Sequence, residues 1–99
     1  MSEHPRLQLN NHFSNPARLS LMAALAGVDE IDFKTLRDSL GLSDSTLSKH
    51  ASALEEHDYV RIRKGYVGKR PRTWLSLTPT GRSAFDAHLS ALRRLTADL

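Results

Sequence analysis

FKTLRDSLGLSDSTLSKHASALEEHDYVRIRKGYVGKRPR, residues 33–72, is the stretch on which the fold turns. Phe33, Leu36 and Leu40 recur at i, i+3 and i+7, which lines one face of a short helix over 33–40. Asp32 is placed to cap that helix and Gly41 to end it. Leu42 then tucks under the turn, Ser43 caps a second helix over 44–57, and Asp44 lies at its positive end. Leu47, Ala51 and Leu54 form the buried stripe of the second helix; Ser45, Thr46, Ser48, Lys49 and Ser52 occupy its other face. Serine and threonine are poor helix formers, so this choice suits a surface that must approach something closely. Tyr59 to Arg63 alternates with period two and reads as a strand, and Thr73 to Leu77 reads as its partner. Between them KGYVGKRPR, residues 64–72, holds two glycines and a proline and reads as a loop at a hairpin tip.

Outward from this stretch, residues 1–12 are polar and read as an N-terminal tail. Leu7, Leu9 and Phe13 are apolar where a free tail needs no apolar residues, which fits packing on a partner subunit or a frayed end. Asn15-Pro16 is a cap followed by proline at the first helical position, and Gly27 is a stop, so a helix is expected over 16–26. Its apolar stripe of Leu19, Met22, Ala23 and Ala26 is widened by Leu21 and Leu25, as if it made contacts on two sides. Ile31 fits a single extended pairing. Thr78-Pro79 opens the last helix, expected over 79–99, where Phe85, Leu89, Leu92, Leu95 and Leu99 approach a seven-residue seam. Gly81 reads as a small cost within its first turn. At about 1.5 Å per residue that helix overhangs a domain of roughly 13 Å radius of gyration, and an apolar overhang seeks a partner.

Ninety-nine residues make one domain, and 39% hydrophobic with 25% charged residues is an ordinary globular composition. With no cysteine there are no disulfides and no thiolate metal sites. No apolar run reaches the roughly 20 residues of a membrane span. The first residues carry no signal-peptide core, and the expected location is the cytoplasm. The net charge is only +3, yet residues 61–72 hold six bases and no acid, leaving 8 bases against 11 acids elsewhere. A basic segment on a mildly acidic body fits directed contact with a polyanion, and equally a solvated hairpin that happens to be cationic.

The order helix, short extended segment, helix, turn, helix, hairpin, helix resembles a winged helix-turn-helix domain, an α+β but mainly helical fold. Specifically, NPARLSLMAAL, SLGLSDSTLSKHASALEEHDYV, KGYVGKRPRTWLSLT and TPTGRSAF resemble bacterial and archaeal transcriptional regulators of the MarR/ArsR-like class, over about residues 9–95. The resemblance implies a three-helix core, a two-stranded wing and a long C-terminal dimerisation helix. It implies a homodimeric, sequence-specific double-stranded DNA-binding regulator, a repressor by promoter occlusion. Helix 44–57 would enter the major groove and wing 64–72 the adjacent minor groove or backbone. The DNA-contacting residues would then be Ser43, Ser45, Thr46, Ser48, Lys49 and His50 on the helix, with Arg63, Lys64, Lys69, Arg70 and Arg72 on the wing. The dimer interface would use Phe13, Leu21, Leu25, Leu89, Leu92 and Leu95. Two features depart from the class: His57-Asp58 replaces the small Ala-Gly pair common at that turn, and the chain is shorter than many members. Any effector would therefore bind at the dimer interface, and none is assigned.

The plainer readings stand beside these. His50 also suits a packed histidine between helices, Lys34, Arg37 and Arg18 suit solvated bases, and Tyr66 either stacks on the wing or lies along a sugar backbone. Trp74 reads as core. Asp86-x-His88 is similar to half of a last-helix metal site in some ArsR-type repressors, but its second half is missing, so no metal and no cofactor is expected. No Gly-rich phosphate loop, His-Glu metal motif or serine with a paired base is present, so no enzyme is expected. The competing function is a winged-helix protein-interaction module without DNA binding. RNA is disfavoured because the A-form major groove is too narrow for a helix.

Overall fold

The computed structural model describes residues 3–97. Four helices and three strands follow in the order α1 (Pro16–Ala26), β1 (Ile31–Asp32), α2 (Phe33–Leu40), α3 (Asp44–Glu56), β2 (Val60–Val67), β3 (Arg70–Leu77) and α4 (Pro79–Ala97). The strands form one antiparallel sheet in the order β1-β3-β2. The helix starts are set by local capping chemistry. Asn15 Oδ1 accepts from the amides of Ala17 and Arg18, Asp32 Oδ2 from that of Thr35, and Ser43 Oγ from that of Thr46. The α2–α3 turn needs Gly41, whose φ of +66° is left-handed, and Leu42 N–H closes it onto the Arg37 carbonyl at 3.2 Å.

Leu21, Met22 and Leu25 of α1, Leu36 of α2, and Leu47, Ala51 and Leu54 of α3 meet under the sheet residues Val60 and Leu75. Phe85 of α4 and Phe13 close this core. The N-terminal segment is therefore no tail. Two 3-10 turns, Pro5–Gln8 and Asn11–Phe13, fold it back along the domain, and Phe13 is only 1% exposed. Asn10 anchors it: its amide donates to His88 Nδ1 at 2.9 Å and its side-chain nitrogen to the Tyr59 hydroxyl at 3.1 Å. Phe13, Leu21 and Leu25, expected at a subunit interface, are correspondingly spent inside the chain's own core.

The hairpin is longer and tighter than its sequence suggests. Val67 pairs with Arg70, so the expected loop 64–72 shrinks to a two-residue turn, Gly68-Lys69, with Gly68 at φ +62°. Pro71 hid this, because proline cannot donate to a ladder. Here it stands opposite Tyr66, one step past the pair that closes the turn, where backbone N–H groups point away from the partner strand. β1 pairs only with Trp74 and Leu75, so nothing on the far side of Pro71 requires a donor.

Gly81 is required for a reason no local pattern carries. A Cβ there would lie 1.9 Å from the Tyr59 carbonyl oxygen, so only glycine lets the first turn of α4 press against the start of β2. The same corner is bonded by Thr78 N–H to the Tyr59 carbonyl at 3.1 Å, and Thr78 Oγ1 accepts from the Gly81 amide at 2.8 Å. Residues 98–99, and with them Leu99 of the expected seam, lie outside the described residues.

Candidate nucleic-acid interface

α3 turns Leu47, Ala51 and Leu54 inward, which leaves Ser45, Ser48, Lys49 and Ser52 exposed on its outer side. Ser43 and Thr46 are committed to the helix start: Ser43 Oγ accepts from Thr46 N–H at 3.1 Å and donates to Thr46 Oγ1 at 2.8 Å. His50 lies between α1 and α3, where its Nδ1 accepts from Arg18 Nε at 3.0 Å. Burial, then Arg18 and Lys49, hold its imidazole below the usual histidine range. It is a packed histidine, as the plainer reading had it, and Arg18 is its partner instead of a free solvated base. Arg37 is likewise engaged, bridging Asp38 at 2.8 Å and Asp44 at 2.6 Å. The bridge links α2 to the first turn of α3.

The pleat divides the six wing bases. Residues paired directly across an antiparallel ladder share a face, and faces alternate along each strand. Lys64 and Thr73 therefore share a face with Ile62 and Leu75, towards α3. Arg61, Arg63, Arg70 and Arg72 stand on the opposite face, and Lys69 lies in the turn. Among the described residues, Lys49, Lys64, Lys69, Arg70 and Arg72 have no ion-pair partner and are exposed. Arg63, expected on DNA, is not among the free bases. It forks onto Glu30 through Nη2–Oε1 at 2.7 Å and Nε–Oε2 at 3.0 Å, and its guanidinium lies 4.0 Å over the Trp74 ring. The bond from Arg63 holds the Glu30 carboxyl below the usual carboxylate range. Trp74, expected as core, is a half-buried platform for that arginine, and Tyr66 is 71% exposed near the tip.

Between α3 and the wing runs a groove of about 680 Å³. It is lined by apolar Phe33, Ala51, Ile62 and Leu75, by Ser48 and Ser52 of α3, by Lys64 and Thr73 of the hairpin, and by the carboxylates Asp44, which pairs with Arg37, and Glu55. A phosphate ridge that separates a major from a minor groove fits such a trough, with a helix to one side and a hairpin to the other. Glu55 reaches the groove, but its Oε2 is occupied by the Ile62 amide at 3.2 Å, which ties α3 to β2. Thr73 and Glu30 are the residues that sequence reading missed. Both owe their place to strand register, and no local pattern spans the 33 positions from Glu30 to Arg63.

Elsewhere, His88 of the half metal motif is buried as the acceptor for Asn10 while Asp86 is exposed, so the two do not converge. Among the described residues no group of three or more His, Asp or Glu is arranged to hold a metal ion, and no helix is long and apolar enough to cross a membrane. Leu89, Leu92 and Leu95 are half-buried along α4.

Comparison with known proteins returns one architecture. A family model described as a winged helix DNA-binding domain matches residues 17–96. An uncharacterised protein of Methanocaldococcus jannaschii is 29% identical over 87 residues, 88% of this chain and 95% of its own. The solved transcriptional regulator homologue of Pyrococcus horikoshii superposes with a TM-score of 0.84 at 27% identity, over 90% of this chain and 88% of the other. The Bacillus subtilis protein YusO shares the fold alone, with a TM-score of 0.76 at 20% identity, over 96% of this chain and 67% of the other.

Proposed function

The chain belongs to the winged-helix DNA-binding domain family, and from that premise we propose that it is a cytoplasmic, homodimeric repressor, not an enzyme, that occludes promoters at a pseudo-palindromic site. One observation carries the reading. Ser48 and Ser52 of the exposed face of α3 and Lys64 and Thr73 of the wing line the same trough, with the unpaired bases Lys69, Arg70 and Arg72 farther out on the hairpin. In this reading Ser45, Ser48 and Lys49 enter the major groove, because the N-terminal part of a recognition helix reaches base edges. Ser52, Lys64 and Thr73 hold the intervening backbone. Arg70, next to the turn and stiffened by Pro71, enters the minor groove, where narrow A-tracts attract arginine. Lys69 and Arg72 supply sequence-independent attraction. A second copy covers Leu89, Leu92 and Leu95, and two recognition helices about 34 Å apart then read two half-sites.

The test is fluorescence anisotropy with a random-sequence duplex pool over a salt series, followed by selection of the bound fraction. Steep loss of affinity with salt and an enriched palindrome support the reading. Steep salt dependence without enrichment replaces it with a sequence-tolerant architectural binder. No binding at low salt sinks it and turns attention to the protein-interaction alternative. Lys49→Ala should relax discrimination at one base position by about tenfold, whereas Arg70→Ala should weaken all sequences alike.

A further inference from the structure

β1 is two residues long and braces β3 only at Trp74 and Leu75. Beyond the Arg63–Trp74 pair the hairpin continues through Lys64–Thr73, Gly65–Arg72, Tyr66–Pro71 and Val67–Arg70 with no third strand alongside. Four pairs at about 3.4 Å make an unbraced arm of about 14 Å. A tilt of about 10° at its root displaces the tip by about 2 Å, enough to break a hydrogen bond. The root is where Arg63 lies over Trp74 and forks onto both oxygens of Glu30. Gly65 gives the ring its room, since a Cβ there would come within 3.2 Å of Trp74 Cζ3. Glu30 belongs to the connection between α1 and β1, so the fork ties the moving arm to the body of the domain.

We propose that Glu30 is a positioning residue for DNA binding: by holding Arg63 on Trp74 at the last braced pair, it sets the angle at which the wing tip meets the duplex. The assignment rests on the DNA-binding reading above. Its sign distinguishes it from simple electrostatics. An acid beside a basic wing repels phosphate, so its removal should strengthen binding by lifting a negative charge and freeing an arginine. A positioning role requires the opposite. Exposed ion pairs of this kind add little to stability, so the domain should stay folded without Glu30.

The experiment compares wild type with Glu30→Ala and with Glu30→Gln. Trp74 is the chain's only tryptophan, so acrylamide quenching of its fluorescence reads the arm without DNA. Glu30→Ala should raise quenching at unchanged unfolding midpoint. It should also weaken binding to the selected duplex by about tenfold and flatten the salt slope by about 0.9 for each phosphate that the wing no longer neutralises. Glu30→Gln, which removes the charge but keeps an acceptor for Arg63, should shift both less than Glu30→Ala does. Unchanged quenching, or a Glu30→Ala chain that binds as tightly as wild type or tighter, overturns the assignment while leaving the DNA reading intact. A wild-type chain that binds no duplex overturns the DNA reading, and the assignment with it.

Discussion

Two residues at one corner show opposite relations between type and backbone. Gly81 reads in the sequence as a weak point in a helix; in the fold it is the one residue whose lack of a Cβ lets α4 reach the Tyr59 carbonyl. Gly81→Ala should therefore cost at least about 3 kcal/mol, the upper end of an overpacking substitution, visible as a lower urea midpoint at unchanged slope. Asp58 is the converse. It sits at φ +59°, the left-handed position that ends α3, where Tyr59 N–H bonds the Leu54 carbonyl at 3.0 Å. That position favours glycine, and the class this chain resembles commonly has one there. Asp58→Gly should stabilise the domain by about 0.5–1 kcal/mol in the same assay. The anomaly of the His57-Asp58 pair was legible in the sequence. Its consequence, a non-glycine residue held left-handed, needed the backbone.

At the scale of elements, α1, α2 and the start of α3 were legible to the residue because caps and stops act over three or four positions. Asn15-Pro16, Asp32, Gly41 and Ser43 each satisfy or release amides of their own turn. The hairpin was not, because its turn type depends on which residues pair, and Pro71 argued locally against a ladder that in fact accommodates it. The N-terminal segment is held by tertiary partners, and histidines at its contacts and between α1 and α3 make the fold sensitive to pH. His88 Nδ1 accepts from Asn10, His12 stacks on His57 with ring centroids 3.7 Å apart, and His50 Nδ1 accepts from Arg18. His88 is lowered by burial; His12 is lowered by burial, then His57 and Arg18; His50 is lowered by burial, then Arg18 and Lys49. A histidine lowered in the fold binds its proton more readily when unfolded. Stability is thus full above the ordinary value of 6.5 and falls as pH drops below it towards the lowered values. Urea midpoints at pH 7.5, 6.5 and 5.5 should decline mainly over the lower step. A flat profile would mean that these contacts do not favour neutral imidazoles.

At the scale of the molecule, a radius of gyration of 15.0 Å and extents of 57 × 24 × 21 Å describe a body with projecting parts, against about 13 Å for a compact chain of this length. α4 keeps Leu89, Leu92 and Leu95 only half-buried, and the proposed second copy would cover them. Replacing Leu92 and Leu95 by glutamate should give monomers in sedimentation and abolish the preference for paired half-sites while leaving the thermal transition cooperative. A dimer that survives both changes would place the interface elsewhere. The amino-acid sequence by itself determined the helices, the turn between α2 and α3, the outward serines and Lys49, and the existence of a basic hairpin. All of these follow from periodicity, capping and charge within one element. Only the tertiary structure decided that Phe13, Leu21 and Leu25 belong to the chain's own core, that Asn10 pins the N-terminal segment to His88, and that Arg63 serves Glu30 and Trp74. Those assignments turn on contacts between residues 33 and 78 positions apart, where the partner of a side chain is chosen by how elements pack and strands register, and no local spacing encodes that choice.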